Sequence, residues 1–293
     1  MPAAMPVIRL LCLIALLCVP PRMAAAAAST DLRYGPDAAQ RADLYRPDTP
    51  GAAPAPILLL VHGGSWAHGD KADPAFIQDK LARWLPLGFV VVSVNTRLLP
   101  DAPPRAQAED LGLAVAWIQR HAAAWHADPG RLVLMGHSSG GHLLALLAAD
   151  AAMRQRTGAA PWRASIILDG TPFDLPRIMA AEHAPFYDKA FGNDPAQWRA
   201  ASPAAQLSGA NPPTLLVCSS LRPHSCQRSR DYAAQLTARG GQAQVLPVAR
   251  NHGQIDTDVG GDNDATRAIV AFIDAQLGRH ARAPDAPAIR PSP

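Results

Sequence analysis

The sequence predicts one doubly wound α/β domain, with a mostly parallel central sheet, helices on both faces and a short cap insertion. Six short apolar, β-branched-rich runs recur along the chain, and such runs suit strands buried on both faces. Helix-length segments separate them, and an alternation sustained this long argues a single α/β unit. Glycines at 88, 130, 158 and 240–241 stand where helices turn back into strands. At 293 residues and 48% hydrophobic, the chain can bury a large core. With 17% charged residues it is too apolar for a disordered protein.

The first thirty residues stand apart from this pattern. Arg9 precedes a ten-residue apolar run at 10–19, Pro20-Pro21 ends it, and the alanines at 24–28 offer A-x-A cleavage sites. Ten residues are too few to cross about 30 Å of hydrocarbon as a helix. Residues 1–28 therefore read as a secretory signal peptide, and the protein as periplasmic or secreted. Removing them takes away Arg9 and Arg22 and no acid, so the net charge falls from +3 to +1. No later segment approaches membrane-spanning length. The balance of 27 Lys+Arg against 24 Asp+Glu, without a basic run, leaves no footprint for nucleic acid.

Residues 34–45 read as two short leading strands. Further strands are predicted at 57–61, 89–94, 131–135, 164–168, 214–218 and 243–248, and helices at 75–85, 106–124, 139–153, 228–239 and 265–277. The Pro- and Gly-containing stretch 171–213 breaks the alternation and is expected to cap the site. The domain spans 29–277, and the Ala/Pro-rich tail 278–293 is expected to be unstructured. Cys12 and Cys18 fall in the signal segment. Cys218 and Cys226, with seven residues between them in an exported protein, are read as one disulfide.

The chemistry begins at Gly136-His137-Ser138-Ser139-Gly140, directly after one predicted strand and before a helix. A G-x-S-x-G turn needs its glycines because the strand-to-helix bend around a strained nucleophile has no room for side chains. It lifts the Ser138 hydroxyl above the sheet edge, and the Ser139 N–H becomes a candidate oxyanion donor. His62-Gly63-Gly64-Ser65-Trp66 follows another apolar strand, and its bare glycines let backbone N–H groups turn inward. Gly64 and Ser65 are the further candidate donors, with His62 as an organiser of the loop and Trp66 as a pocket wall. The general base must follow the last strand to reach Ser138. His252 does so, in the chain order Ser then His that such sites use.

These residues resemble the α/β-hydrolase superfamily. They are most similar to its esterases with an HGG[G/S/A]W oxyanion loop: bacterial carboxylesterases, feruloyl-esterase-like enzymes, kynurenine formamidase and hormone-sensitive-lipase relatives. The likeness covers roughly residues 31–277 and implies the α/β-hydrolase fold. It also implies Ser138 as nucleophile, His252 as base, and the N–H groups of Gly64, Ser65 and Ser139 as oxyanion hole.

One departure stands out. The family's acid usually sits a few residues past the strand that here ends at Cys218, but residues 219–226 contain no Asp or Glu. His224 stands in that loop. The expectation is that the acid position is vacated and the enzyme weak, with Asp169, Asp174 and Asp231 as the other sources of a carboxylate. The reading is an exported serine carboxylic-ester hydrolase that acts on a small-molecule ester through an acyl-enzyme, with no metal or cofactor implied. Two other readings stay open: a catalytically impaired binding protein of the same fold, and an arylformamidase-like amide hydrolase.

Overall fold

The computed structural model describes residues 27–209 and 211–279, so nearly all of the signal segment and of the tail lies outside the described residues. Eight strands form one sheet: β1 (Ala27–Arg33), β2 (Arg41–Arg46), β3 (Ala55–Val61), β4 (Val90–Val94), β5 (Ala127–His137), β6 (Ala164–Leu168), β7 (Thr214–Ser219) and β8 (Ala243–Val248). Their spatial order is β1-β2-β4-β3-β5-β6-β7-β8. The first two strands run antiparallel to their neighbours and all later pairings are parallel.

Strands β4, β6 and β7 are buried at every residue, because helices cover both faces. Edge strand β8 is only half-buried, and there Pro247 costs no ladder hydrogen bond within the sheet. Among the described residues the eleven α-helices are α1 (Pro74–Trp84), α2 (Pro104–His121), α3 (Ser139–Ala149), α4 (Ala151–Thr157), α5 (Leu175–Met179), α6 (Pro185–Phe191), α7 (Pro195–Ala200), α8 (Pro203–Gln206), α9 (Ser225–Ala238), α10 (His252–Thr257) and α11 (Asp264–Gln276). Apolar residues of α1, α10 and α11 pack on one face of the sheet. Those of α2, α3, α4 and α9 pack on the other. No helix among the described residues is long and apolar enough to cross a membrane.

Several predicted boundaries move. The leading strands lie at 27–33 and 41–46, so the second falls in the predicted stretch and the first precedes it. Tyr34 instead leaves the sheet, and its hydroxyl donates to the Asn95 carbonyl at 2.6 Å. Ala27 and Ala28, at the end of the predicted signal, pair with Arg46 and Tyr45. The single helix expected over 139–153 is two: Asp150 takes an extended backbone, ends α3 and caps α4 by accepting from the Met153 N–H at 2.8 Å. Gly130 lies inside β5 and not at a helix end. The stretch 171–213 contains four short helices, α5 to α8. Arg279, two residues past the predicted domain boundary, is held by the Leu87 carbonyl at 3.1 Å and by Asp274 at 3.1 Å.

Candidate active site

The carboxyl ends of β3, β5 and β6 converge on one point, joined by the loop after β7 and the start of α10. At the end of β5 the chain turns sharply into α3. Ser138 sits at the apex with φ 53° and ψ −118°, a backbone that an ordinary side chain avoids. Gly140 permits this turn to seat on the neighbouring loop, since a Cβ there would overlap the carbonyls of Val61 and His62. Every residue of α3 is buried, so the turn stands on a fixed base.

His252 is the first residue of α10. Asn251 and Gln254 form a capping box: the Asn251 side chain accepts from the Gln254 N–H at 2.9 Å, and Gln254 accepts from the Asn251 N–H at 3.0 Å. The imidazole reaches across, and its Nε2 accepts from the Ser138 hydroxyl at 2.9 Å. On its other side Nδ1–H donates to Asp169 Oδ2 at 2.6 Å.

Asp169, the residue after β6, is thus the carboxylate, and the expectation of a vacated acid position is corrected. The loop after β7 still serves the acid, but by supplying donors to it. Ser219 donates its N–H to Asp169 Oδ1 at 3.2 Å, Ser225 donates its hydroxyl to the same oxygen, and Arg222 Nη1 donates to Oδ2 at 2.9 Å. A carboxylate one strand closer to the nucleophile needs no acid in that loop. Burial pushes the Asp169 carboxyl up. The hydrogen bonds from His252 and Ser225, the Arg222 charge and the Ser219 N–H outweigh it and hold the group at about 2.

His224 is exposed, at the residue before α9, and makes no contact with His252. Asp231 lies on α9, 3.3 Å from Arg177, and Asp174 caps α5, so neither reaches the imidazole. Cys218 and Cys226 are joined by a disulfide that ties the end of β7 to the first turn of α9, closing the loop that carries Arg222 and Ser225. Inside that loop the Ser219 hydroxyl donates to the Arg250 carbonyl at 2.6 Å and accepts from the Leu221 and Arg222 N–H groups.

The glycine loop after β3 forms the facing wall. Gly64, Ser65 and Trp66 all take left-handed backbone, at φ 127°, 53° and 61°. Among the described residues, the N–H groups of Gly64, Ser65 and Ser139 donate to no protein acceptor. His62 donates from Nδ1 to the Gly63 carbonyl at 2.7 Å and so acts within its own loop. Trp66 both packs and walls: its Nε1–H donates to His142 Nδ1 at 3.1 Å and its ring meets Phe191 edge-on at 4.8 Å. His142 in turn donates from Nε2 to the Ala201 carbonyl at 2.9 Å, and its complete burial pushes it down to about 4.

Behind the base lies a cluster that the sequence reading did not assign. His137 donates from Nε2 to the His252 carbonyl at 3.0 Å, and the two rings lie 4.6 Å apart. Burial pushes His137 down to about 4. Asp256 on α10 approaches His137 Nδ1 at 3.4 Å and pairs with the buried Lys80 of α1 at 2.9 Å. Lys80 also donates to the Phe76 and Asp256 carbonyls.

A cavity of about 180 Å³ opens at Ser138, walled by Trp66, Pro172, Phe186 and Tyr187, with Arg222 at its rim. Of the seven non-glycine residues with left-handed backbone among those described, four line it: Ser65, Trp66, Ser138 and Asp169. Strain concentrated at one cavity is a mark of a functional site. A larger hollow of about 260 Å³ between α5 and α9 includes none of Ser138, Asp169 or His252.

The model of the BD-FAE family matches residues 42–223. The esterase LipC of Mycobacterium tuberculosis is 28% identical over 197 residues, covering 63% of this chain and 48% of LipC. This chain thus spans about half the length of that relative. Among solved structures, a tributyrin-phosphonate-inhibited esterase B from Lactobacillus rhamnosis superposes with a TM-score of 0.70 at 20% identity, covering 86% of each chain. A truncated carbohydrate esterase from gut microbiota gives 0.72 at 20% identity, covering 87% of this chain and 97% of its own. At such identities the structures speak for the fold, which is the α/β-hydrolase fold. The family match spans well over half of the sequence, and the chain belongs to the BD-FAE family of α/β-hydrolase carboxylesterases.

Proposed function

We propose that this protein is a serine carboxylic-ester hydrolase that works through an acyl-enzyme on Ser138. The carrying observation is the unbroken chain from Ser138 Oγ to His252 Nε2 at 2.9 Å and from His252 Nδ1 to Asp169 Oδ2 at 2.6 Å. The names of relatives such as LipC, and of the phosphonate-inhibited neighbour, point the same way. In this reading His252 takes the Ser138 proton as Oγ attacks the ester carbonyl carbon. The new oxyanion is held by the N–H groups of Gly64, Ser65 and Ser139. The imidazolium, steadied by Asp169, gives its proton to the departing alcohol. Water then attacks the acyl-enzyme with His252 again as base, and Ser138 is restored with the acid released.

Two hollows meet at Ser138, one of about 350 Å³ on the side of Asp70, Asp73 and Phe76 and one of about 180 Å³ walled by Trp66, Phe186 and Tyr187; the smaller, below the roughly 300–1,000 Å³ typical of drug-sized ligands, suits a short acyl group. Export to the periplasm or medium remains part of this proposal on the strength of residues 1–28. Protein recovered from that compartment is expected to begin near Ser29 by intact mass. The test of function is hydrolysis of short-chain nitrophenyl esters by the mature protein. Ser138→Ala is expected to lower turnover by about 10⁶ and to abolish the mass adduct formed with a serine-directed phosphonate. Activity surviving in that variant would remove Ser138 from the mechanism.

A further inference from the structure

The hydrogen bonds at Asp169 hold a feature that the triad alone does not use. One carboxylate oxygen, Oδ2, serves two donors: His252 Nδ1 at 2.6 Å and Arg222 Nη1 at 2.9 Å. The guanidinium nitrogen is then only 3.3 Å from the imidazole Nδ1. We infer that Arg222 is a positioning residue that tunes the base, dividing the Asp169 charge between itself and His252 so that His252 stays deprotonated, and the enzyme active, at lower pH than an undivided Asp–His pair would allow.

The inference rests on the proposed role of His252, and the physics is direct. When His252 accepts the Ser138 proton, its positive charge forms beside a fixed positive charge. The like charge opposes protonation while the Asp169 carboxylate favours it, so the two act against each other at one ring. Arg222 side-chain exposure is 32%, which lets water weaken its effect without removing it. The disulfide-closed loop fixes the geometry, since the Arg222 N–H is bound to the Ser219 hydroxyl at 3.1 Å. Other charged or titratable groups also face this ring: His137 from β5, Asp256 on its own helix with Lys80 of α1 behind it, and Asp70 and Asp73 at the outer opening. The Arg250–Asp258 pair stands beyond the helix start. All of these persist when Arg222 is changed, so a comparison isolates the guanidinium.

The test is the pH profile of kcat/KM on nitrophenyl acetate for wild type, Arg222→Met and Arg222→Lys. The acid limb of Arg222→Met is expected to move to higher pH by roughly half to one unit. Its activity relative to wild type then falls about 3- to 10-fold between pH 8 and pH 5, while Arg222→Lys, which keeps the charge, holds the wild-type profile. A purely structural role would lower activity by the same factor at every pH, and such parallel profiles would overturn the inference. The same titration followed by NMR on the His252 ring, assigned through its loss in His252→Gln, requires no turnover. An unmoved ring titration in folded Arg222→Met overturns the tuning role, whatever becomes of the esterase reading.

Discussion

In the proposed mechanism Asp169 sets how strong the catalyst is. Its left-handed backbone, at φ 48°, and its four donors fix the carboxylate against the imidazole. Asp169→Asn keeps the side-chain shape but removes the charge that steadies the imidazolium. It is expected to cut kcat by about 10⁴ with little change in KM. Steady-state kinetics on a short ester will show this. His224→Asp is expected to leave turnover within about twofold, because His224 is exposed and does not touch the base. A wild-type enzyme unaffected by Asp169→Asn would refute the assignment. At this scale the meeting of Ser138 with His252 was legible, because a local turn motif and a position after the last strand define their places. The acid was not, since its partner comes from 83 residues away and its place depends on β6 lying beside β5. An Asp directly after a buried strand was the available signal.

Among the elements, α10 matters most for its length, because six residues carry the base. A helix this short is marginal by itself. Two features hold it: the Asn251–Gln254 capping box and the ties from Lys80 to Asp256. Lys80 is wholly buried, so removing its charge leaves Asp256 without its main partner beneath His137 and His252. Lys80→Met is expected to destabilise the fold by about 3–5 kcal/mol, measured by urea unfolding. It is also expected to lower kcat, since α10 then loses its anchor on α1. An unchanged unfolding midpoint would show the pair to be dispensable. The capping box could have been read from Asn-x-x-Gln at 251–254. Lys80 could not, because a helix lysine ordinarily reads as solvated and only the α1–α10 contact buries it.

For the molecule as a whole, two buried histidines set the response to acid. His137 and His142 are pushed from an ordinary value of 6.5 to about 4 by burial. Between those limits the unfolded chain binds more protons than the folded one, so stability rises with pH from about 4 to 6.5 and is lost on acidification through that window. Each group contributes up to about 3 kcal/mol, which together correspond to a fall in Tm of roughly 10 °C or more by pH 4.5. Asp169 adds a second loss at lower pH, as it protonates between its ordinary value near 3.8 and about 2. Thermal melts at pH 7, 5.5 and 4.5 check the first step, and a flat Tm across them would contradict it. The architecture itself was legible because strands buried on both faces write continuous apolar runs. The four short helices of 175–206 were not, because α6 leans on Trp66, α8 on α3 and α5 on α7, and all carry little periodicity of their own.

The seam between the nucleophile turn and the glycine loop is main chain against main chain, with Gly140 facing the carbonyls of Val61 and His62. Where Gly63 lies over the same turn, a Cβ would instead meet the His137 ring at 2.8 Å and the Ser138 Cβ at 3.1 Å. At both glycines the approach of Ser138 to the oxyanion donors is therefore closed to any added side chain. An engineer who wants this site to accept a bulkier tetrahedral centre must shift β3 against β5 as whole strands, or else work on the opposite wall at the exposed Phe186, since Tyr187 is buried against Trp66 and Phe191.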